Sequence, residues 1–251
     1  MKKLSAVLVL SLLTMVGCAE RHNSAQTGGA AAQGVATGSK AESIDRLNDS
    51  AQILKELTSA PDNGIPQEIL TKAKCVAIVP SMVKGGFVFG GQHGRGVATC
   101  RNSNGWSSPA FFTVTGGSWG AQIGAEAVDV VMLVMTDQGM KDLMSSKFKL
   151  GAEGGVSAGP VGREATANTD IAMKSGILTY SRSRGLFAGL DLSGAVVQQD
   201  DESQNAFYGN GVNFAQVLQG QVQTPTDARP FLASVRESFH EARQQEATDR
   251  P

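Results

Sequence analysis

The residues from Lys84 to Glu126 read KGGFVFGGQHGRGVATCRNSNGWSSPAFFTVTGGSWGAQIGAE. Glycine recurs there every few positions among Val, Phe, Thr and Trp, a mixture that favours short β-strands over helix. Glycine inside a strand costs conformational entropy and adds no side chain to packing, so its repetition indicates tight corners, bulges or close approach of another layer. The stretch therefore predicts the centre of a strongly curved sheet.

Strand patterns continue on both sides of this stretch, separated by Gly, Asn, Ser or Pro. The predicted strands are Cys75–Val79, ended by Pro80, then Phe87–Phe89, Gly96–Arg101, Ser108–Thr115, Trp119–Ala125 and Val128–Met135, followed by glycine-rich runs at Phe148–Pro160 and Gly176–Val197. Because the connections are short, neighbouring strands are expected to be antiparallel.

Helical periodicity occurs before and after the strand region. The predicted helices are Ala41–Ala60, Gln67–Ala73, a helix capped by Asp137 that runs to Ser145, Asp200–Tyr208, Asn213–Leu218 and, after a linker framed by Pro225 and Pro230, Phe231–Ala247. This pattern predicts an α+β fold, a curved antiparallel, barrel-like sheet with helices packed at its ends.

The first predicted helix places Ile44, Leu47 and Leu54 on one face, and its polar face carries more acids than bases. A helix that lies on an anionic membrane is usually rich in Lys and Arg on that face. The pattern therefore favours packing of this helix against its own domain over docking on a membrane.

Composition limits the kinds of partner. The chain has 251 residues, a length that suits one large domain or two small ones. Its hydrophobic fraction of 41% is enough for a buried core. Its formal net charge is −1, and loss of Lys2 and Lys3 with a signal peptide would make it −3. Overall charge therefore gives no basis for nucleic-acid binding, and attraction to anions must come from a local patch.

The amino terminus predicts export and lipid anchoring. Residues 1–18 combine two lysines, an apolar run and Gly17-Cys18, as in the signal peptide and lipobox of bacterial lipoproteins. Cys18 is then the lipidation site, and the alternative is an ordinary cleaved signal with an incidental cysteine. Ala19 in place of Asp implies the outer membrane in the usual lipoprotein sorting pattern. The predicted location is the bacterial cell envelope, with the membrane contacted through the N-terminal lipid anchor.

The next segment, residues 19–40, is small, polar and glycine-rich, which is typical of a flexible tether. Residues 41–248 are predicted to form a single domain.

Four runs carry a resemblance to a known family. They are IPQEILTKAKCVAIVP from Ile65, KGGFVFGGQHGRGVATCR from Lys84, GWSSPAFFTVTGGSWGAQIGAEAVDVVMLVM from Gly105, and ILTYSRSRGLFAGLDLSG from Ile177. In this order they resemble the SYLF domain, also called the Ysc84-type actin-binding domain, over residues 65–211. The resemblance implies a lipid-binding module. Eukaryotic members bind phosphoinositide membranes, some bind actin, and bacterial members are mostly secreted proteins or lipoproteins.

Catalytic and metal-binding patterns are weak. Gly116-Gly117-Ser118-Trp119-Gly120 fits the G-x-S-x-G pattern of serine hydrolases, but that motif needs a helix after its strand, and strands are predicted on both sides. Ser118 is interpreted as a turn residue. The histidines are isolated, and no Cys or His pair has ligand spacing. We predict no catalytic residue, no metal site and no cofactor.

Cys75 and Cys100 remain once Cys18 is set aside. An oxidising envelope favours a disulfide between them, whereas their Val and Ala neighbours suit two buried thiols nearly as well. Both alternatives stay open from sequence.

Seven cations form the anion-binding hypothesis. They are Lys72, Lys74, Lys84, Arg95 and Arg101, with Lys147 and Lys149 as a second group. The alternative is that they are scattered, solvated charges at strand ends. The leading functional hypothesis is a lipid-anchored envelope protein whose domain binds anionic lipid, of phosphoinositide or glycolipid type. The alternative is an envelope scaffold or adhesion protein with a protein partner, an actin-like one by the resemblance alone.

Overall fold

The structure is a computed structural model that describes residues 38–58, 65–86, 89–119, 124–151, 155–161, 174–183 and 186–249. All of them belong to one compact unit, Ala36–Pro251. The predicted signal peptide, the lipidation site Cys18 and nearly all of the predicted tether lie outside the described residues.

The described strands are short at the sheet edges and long at its centre. They are β1 (Cys75–Gly86), β2 (Phe89–Asn102), β3 (Gly105–Trp106), β4 (Ala110–Trp119), β5 (Gly124–Val134), β6 (Lys147–Lys149), β7 (Val156–Ala158), β8 (Ile177–Ser183), β9 (Leu186–Gly189) and β10 (Val196–Gln199).

These strands form one strongly curled sheet in the order β6-β10-β4-β2-β1-β5-β8-β7, with β3 paired to β2 and β9 to β8. Every described pairing is antiparallel except that of β7 with β8, which is parallel. The expected α+β class with a curved, barrel-like sheet is confirmed, in the form of a half-barrel.

The helices surround the sheet. They are α1 (Lys40–Thr58), α2 (Gln67–Lys72), α3 (Asp137–Met144), α4 (Asp201–Tyr208), α5 (Phe214–Leu218) and α6 (Arg229–Asp249), with a 3₁₀ turn at Thr226–Ala228. Among them, no helix has the length and apolarity needed to cross a bilayer. The expected packing of α1 on its own domain is confirmed, because Leu47 and Leu54 are buried in the core that α1 shares with α6.

The two faces of the sheet contribute to two separate cores, because side chains alternate along each strand. One core joins α1, α2 and α6 to alternate residues of the central strands, among them Ile78, Val97 and Leu133. The other core joins α3 and α5 to the intervening residues of the same strands, whose side chains point to the opposite face of the sheet, among them Ala77, Ala98 and Val134. The sheet is therefore covered by helices on both sides.

Strand β1 passes through Pro80, so the prediction that Pro80 ends this strand is wrong. The register with β5 shifts between Val79 and Met82, and Ser81 at this bulge has φ of 49°. The backbone N–H of Ser81 donates to the Asp129 carboxylate at 2.9 Å. A bulge tolerates proline because the ladder hydrogen bond that proline lacks is not needed there.

Several other predicted boundaries are corrected. Ser118 lies within β4 opposite Gly90 and is not a turn residue. Trp119 ends β4 and Gly124 begins β5, so they do not share one strand. The hydroxyl of Thr136, not Asp137, caps α3 by accepting from the N–H of Gly139.

The later glycine-rich runs are also corrected. The predicted strand Phe148–Pro160 contains two separate short strands, β6 and β7, and Gly176–Val197 contains β8, β9 and the start of β10. Pro230 lies inside α6, one residue after its start, where a proline costs no helical hydrogen bond.

Cys75 and Cys100 form a disulfide with an S–S distance of 2.05 Å. They lie directly opposite each other on β1 and β2, and both are fully buried. The pair thus corresponds to the first of the two alternatives that the sequence leaves open.

Candidate anion-binding site

A cavity of about 680 Å³ lies between the β2–β3 hairpin and helix α6. Among the described residues, its lining carries three arginines and one carboxylate: these lining residues are Arg101, Asn102, Ser103, Gly105, Trp106, Arg236, Glu237, His240 and Arg243. With histidine neutral, the ionised side chains of this lining sum to two positive charges, in a chain whose formal charge is −1. The described lining of this cavity is therefore a local patch of positive charge on a chain that is slightly acidic overall.

The hairpin fixes one wall of the cavity. Arg101 pairs with Trp106, and Asn102 with Gly105, across a two-residue turn. Gly105 has φ of 114°, a conformation that side chains rarely adopt, so a glycine is required at this position. Because Arg101 and Trp106 are direct cross-strand neighbours, their side chains lie on the same face of the hairpin.

Helix α6 supplies the opposite wall. Arg236, His240 and Arg243 follow one another at intervals of four and three residues, so they share one helix face. All three are exposed, whereas Leu232, Val235 and Phe239 face the core and are buried. The helix is therefore anchored by its apolar face and presents cations to the cavity.

Arg101 has aromatic neighbours and no carboxylate partner among the described residues. Its guanidinium lies 5.0 Å from the ring centroid of Trp106 and 5.3 Å from that of Phe239. Its Nε and Nη2 atoms are buried without a hydrogen-bond partner. Burial, followed by repulsion from Arg243, lowers the pKa of Arg101 to about 10.

Arg95 has a different environment, although the sequence groups it with Arg101. Its guanidinium donates to Asp200 at 3.0 Å and to Glu42 at 2.8 Å. Burial lowers the pKa of Arg95, but the hydrogen bond to Asp200 and the nearby carboxylates outweigh this effect and raise it. Arg46 shares the same two carboxylates, so this cluster joins α1, β2 and the start of α4 and is neutralised internally.

Three predicted lysines also lie beside acids. Lys72 pairs with Glu68 on α2 at 2.5 Å, and Lys74 pairs with Asp137. Lys84 is directly opposite Glu126 across β1 and β5. Burial lowers the pKa of Lys84, and the Glu126 carboxylate opposes that shift.

Lys147 and Lys149 are exposed on β6, which is an end strand of the sheet. Charged side chains on an edge strand hinder pairing with another chain, which gives both lysines a structural reason to be there. Of the seven predicted cations, the structure places Arg101 at the cavity and the other six elsewhere. A role of any of the seven in anion binding stays a prediction.

Sequence reasoning missed the contribution of α6 and of Trp106. The signal was available in the helical spacing of Arg236, His240 and Arg243, which puts the three side chains on one face of the predicted helix. Their proximity to Arg101 could not be predicted from sequence, because only the packing of α6 beside the hairpin brings these distant residues together.

The hydrolase motif gains no support from this geometry. Ser118 is a ladder residue of β4, whereas a nucleophile elbow is a sharp turn between strand and helix. His240 lines the cavity beside Arg101, and Ser118 is not part of that lining. The described residues also contain no group of three or more His, Cys, Asp or Glu side chains placed to hold a metal.

Known proteins are similar in sequence to most of this chain. A family model described as "Ysc84: Las17-binding protein actin regulator" matches residues 115–238. Protein YSC84 of Saccharomyces cerevisiae is 34% identical over 175 residues, which cover 68% of this chain and 37% of the yeast protein. The SH3 domain-containing YSC84-like protein 1 of Homo sapiens is 32% identical over 199 residues, which cover 76% of this chain and 58% of the human protein.

The chain thus spans between a third and three fifths of the length of these relatives. Their names agree with the family that the four sequence runs resemble. This chain belongs to the SYLF, or Ysc84-type, domain family.

Proposed function

We propose that this chain is a non-enzymatic, lipid-anchored protein of the bacterial cell envelope whose SYLF domain binds anionic lipid headgroups at a membrane surface. The observation that carries the proposal is the convergence of Arg101, Arg236 and Arg243 on one cavity, where Glu237 is the one carboxylate among the described lining residues. Family membership supports a binding role over catalysis, and the envelope location rests on the N-terminal lipobox pattern.

The physical basis is local electrostatics. Each Lys or Arg near an anionic bilayer surface contributes about 1 kcal/mol of attraction, which decreases with salt. Arg236 and Arg243 are exposed on α6 beside the cavity mouth, so together they should supply about 2 kcal/mol. His240, between them, adds charge when protonated.

Vesicle co-sedimentation tests the proposal on residues 19–251, so that neither an acyl anchor at Cys18 nor the apolar run of the predicted signal peptide contributes to binding. Vesicles of phosphatidylcholine alone are compared with vesicles containing phosphatidylglycerol, at low and high salt. We expect salt-sensitive binding to the anionic vesicles only. The double variant Arg236→Gln/Arg243→Gln should weaken partitioning about thirtyfold, the equivalent of about 2 kcal/mol.

The matched control removes the same number of charges from the sheet edge. Lys147→Gln/Lys149→Gln should bind like the parent chain, because β6 is a separate surface. Absence of binding to every anionic vesicle at low salt would refute the proposal. An equal loss in both double variants would refute the assignment of binding to the α6 side.

A protein partner is the second candidate, favoured by the matching family model, which describes a Las17-binding actin regulator. Among the described residues, Val83 of β1 is 52% exposed and no atom lies within 4 Å of the Cβ position at Gly91 of β2, so this part of the sheet could contact a partner. Crosslinking in intact cells followed by co-purification tests this candidate. A protein captured by the parent chain but lost from a Val83→Glu variant would support it.

A further inference from the structure

We propose that the cavity between the β2–β3 hairpin and α6 is a site for a single phosphomonoester group, held jointly by Arg101 and Arg243. The inference rests on the proposed function only for the lipid source of that group. A membrane-bound headgroup and a free phosphate ester present the same chemistry to these residues, so the site is defined by the phosphate itself.

The first step is the unsatisfied guanidinium of Arg101. Two of its nitrogens, Nε and Nη2, are buried without a hydrogen-bond partner. Arg46 and Arg95, the arginines of the α1 cluster, each bind carboxylates. Buried charged groups are normally paired, so an unpaired one beside a cavity indicates an anion that arrives from outside the chain.

The second step is the orientation of that guanidinium. Trp106 and Phe239 lie 4.7 Å apart between ring centroids, and both rings contact Arg101 within 5.3 Å. Arginine stacks on aromatic faces and binds phosphate through the edge of its planar fork. The two rings therefore restrict where the Arg101 guanidinium can lie in the wall of the cavity.

The third step is the charge that the site requires. Arg243 is near enough to Arg101 to repel it, and both line the cavity together with Arg236. Two like charges held together are stabilised most by a ligand that carries two negative charges. A phosphomonoester carries about −1.5 to −2 at pH 7, whereas a phosphodiester carries one charge.

The size of the cavity agrees with an ester. At about 680 Å³ it lies within the range of small-molecule sites, roughly 300–1,000 Å³, and exceeds what one phosphate group fills. Asn102, Ser103 and Glu237 line the remaining space and can bind hydroxyl groups of the alcohol part.

The test uses the fluorescence of Trp106. The chain has two tryptophans, so Trp119→Phe leaves Trp106 as the reporter beside Arg101. The full chain with Cys18→Ser and Trp119→Phe is titrated with glycerol 3-phosphate, inorganic phosphate and the monoanionic diester dimethyl phosphate. We expect a saturable change with the first two and much weaker binding of the diester.

Variants assign the residues. Arg101→Gln should weaken glycerol 3-phosphate binding about tenfold or more, the loss expected for a charge-assisted hydrogen bond. Arg243→Gln, on the exposed face of α6, should also weaken it and provides a test that does not depend on the folding of an Arg101 variant. Arg229→Gln removes one charge from the same helix outside the cavity lining and should bind like the parent.

Vesicles distinguish the source of the phosphate. Phosphatidic acid carries a phosphomonoester and phosphatidylglycerol a phosphodiester, so at matched surface charge an Arg101-dependent preference for phosphatidic acid indicates a lipid ligand. Saturable binding of glycerol 3-phosphate without that preference indicates a free phosphate ester. The site is refuted if no phosphate compound gives a saturable change, if the diester binds equally well, or if Arg101→Gln binds normally. The proposed function survives that result if anionic vesicles still bind.

Discussion

Two glycines of strand β2, Gly91 and Gly96, should respond in opposite directions to the same substitution. A Cβ atom on Gly96 would lie 2.5 Å from the backbone oxygen of Ile78 and 2.5 Å from Cζ of Phe112, closer than real Cβ atoms approach other heavy atoms. A Cβ atom on Gly91 would meet no atom of the described residues within 4 Å. Neither residue has a φ in the left-handed region, so only the available space differs.

The expected free energies follow from this difference. Gly96→Ala should lower the free energy of unfolding by about 3 kcal/mol, the upper end for overpacked cores, because a ladder carbonyl cannot rotate away from the new methyl group. Gly91→Ala should raise it by about 0.5–1 kcal/mol, because alanine restricts the unfolded chain. With a urea slope of about 2 kcal/mol/M, the midpoints should shift by about −1.5 M and about +0.3 to +0.5 M.

Urea titrations followed by far-ultraviolet circular dichroism measure both shifts, and an unchanged slope shows that the change is one of stability. Each variant serves as the control for the other, since the substitution and the strand are the same. A Gly96→Ala midpoint equal to that of the parent would contradict the close packing of β2 against β1 and β4. A large loss with Gly91→Ala would show that the backbone there needs glycine for its conformation.

Three further predictions concern covalent and charged groups. Replacing Cys75 and Cys100 together by Ser should cost about 3.5 kcal/mol, the loop-closure value for their separation of 25 residues, and reductant should then no longer lower the urea midpoint. Burial raises the pKa of Asp200, but hydrogen bonds from Arg95 and the neighbouring backbone outweigh this effect and lower it below the ordinary value. The stability from this carboxylate is therefore present above an unfolded pKa of about 3.9 and lost as pH falls toward the folded pKa, so Asp200→Asn should flatten the dependence of Tm on pH below 4. Mass spectrometry of the membrane-extracted protein should find Cys18 acylated at the amino terminus, and an unmodified thiol there would contradict the lipobox interpretation.

Local sequence chemistry was sufficient for the class of fold. The dense glycines among Val, Phe and Thr predicted a bent sheet, and the structure shows β1, β2 and β4 aligned through Gly85, Gly91 and Gly117 in one cross-strand row. Helix ends were predicted closely where a capping side chain is unambiguous, as at Asn213, which accepts from two N–H groups of α5. These features depend only on residues near each other in the chain.

The errors occurred where distant residues decide the outcome. Pro80 would end an isolated strand, but a register shift against β5 and the Asp129 carboxylate let β1 continue past it. The parallel pairing of β7 with β8 likewise joins residues that are about 20 positions apart in the chain. A rule based on neighbouring residues alone cannot contain this information.

At the candidate site, too, the sequence alone does not show which cations are paired with carboxylates. Arg95 and Arg101 are both cations of β2, six positions apart, and the sequence gives no reason to separate them. Packing separates them, because Arg95 meets Asp200 and Glu42 while Arg101 meets Trp106 and Arg243. The first guanidinium is neutralised by the chain and joins α1 to the sheet. The second has no carboxylate partner among the residues that the structure describes, so an anion from outside the chain would not have to displace one. The positions of the carboxylates, which the sequence does not place in space, therefore separate the proposed anion site at Arg101 from the ion-pair cluster at Arg95.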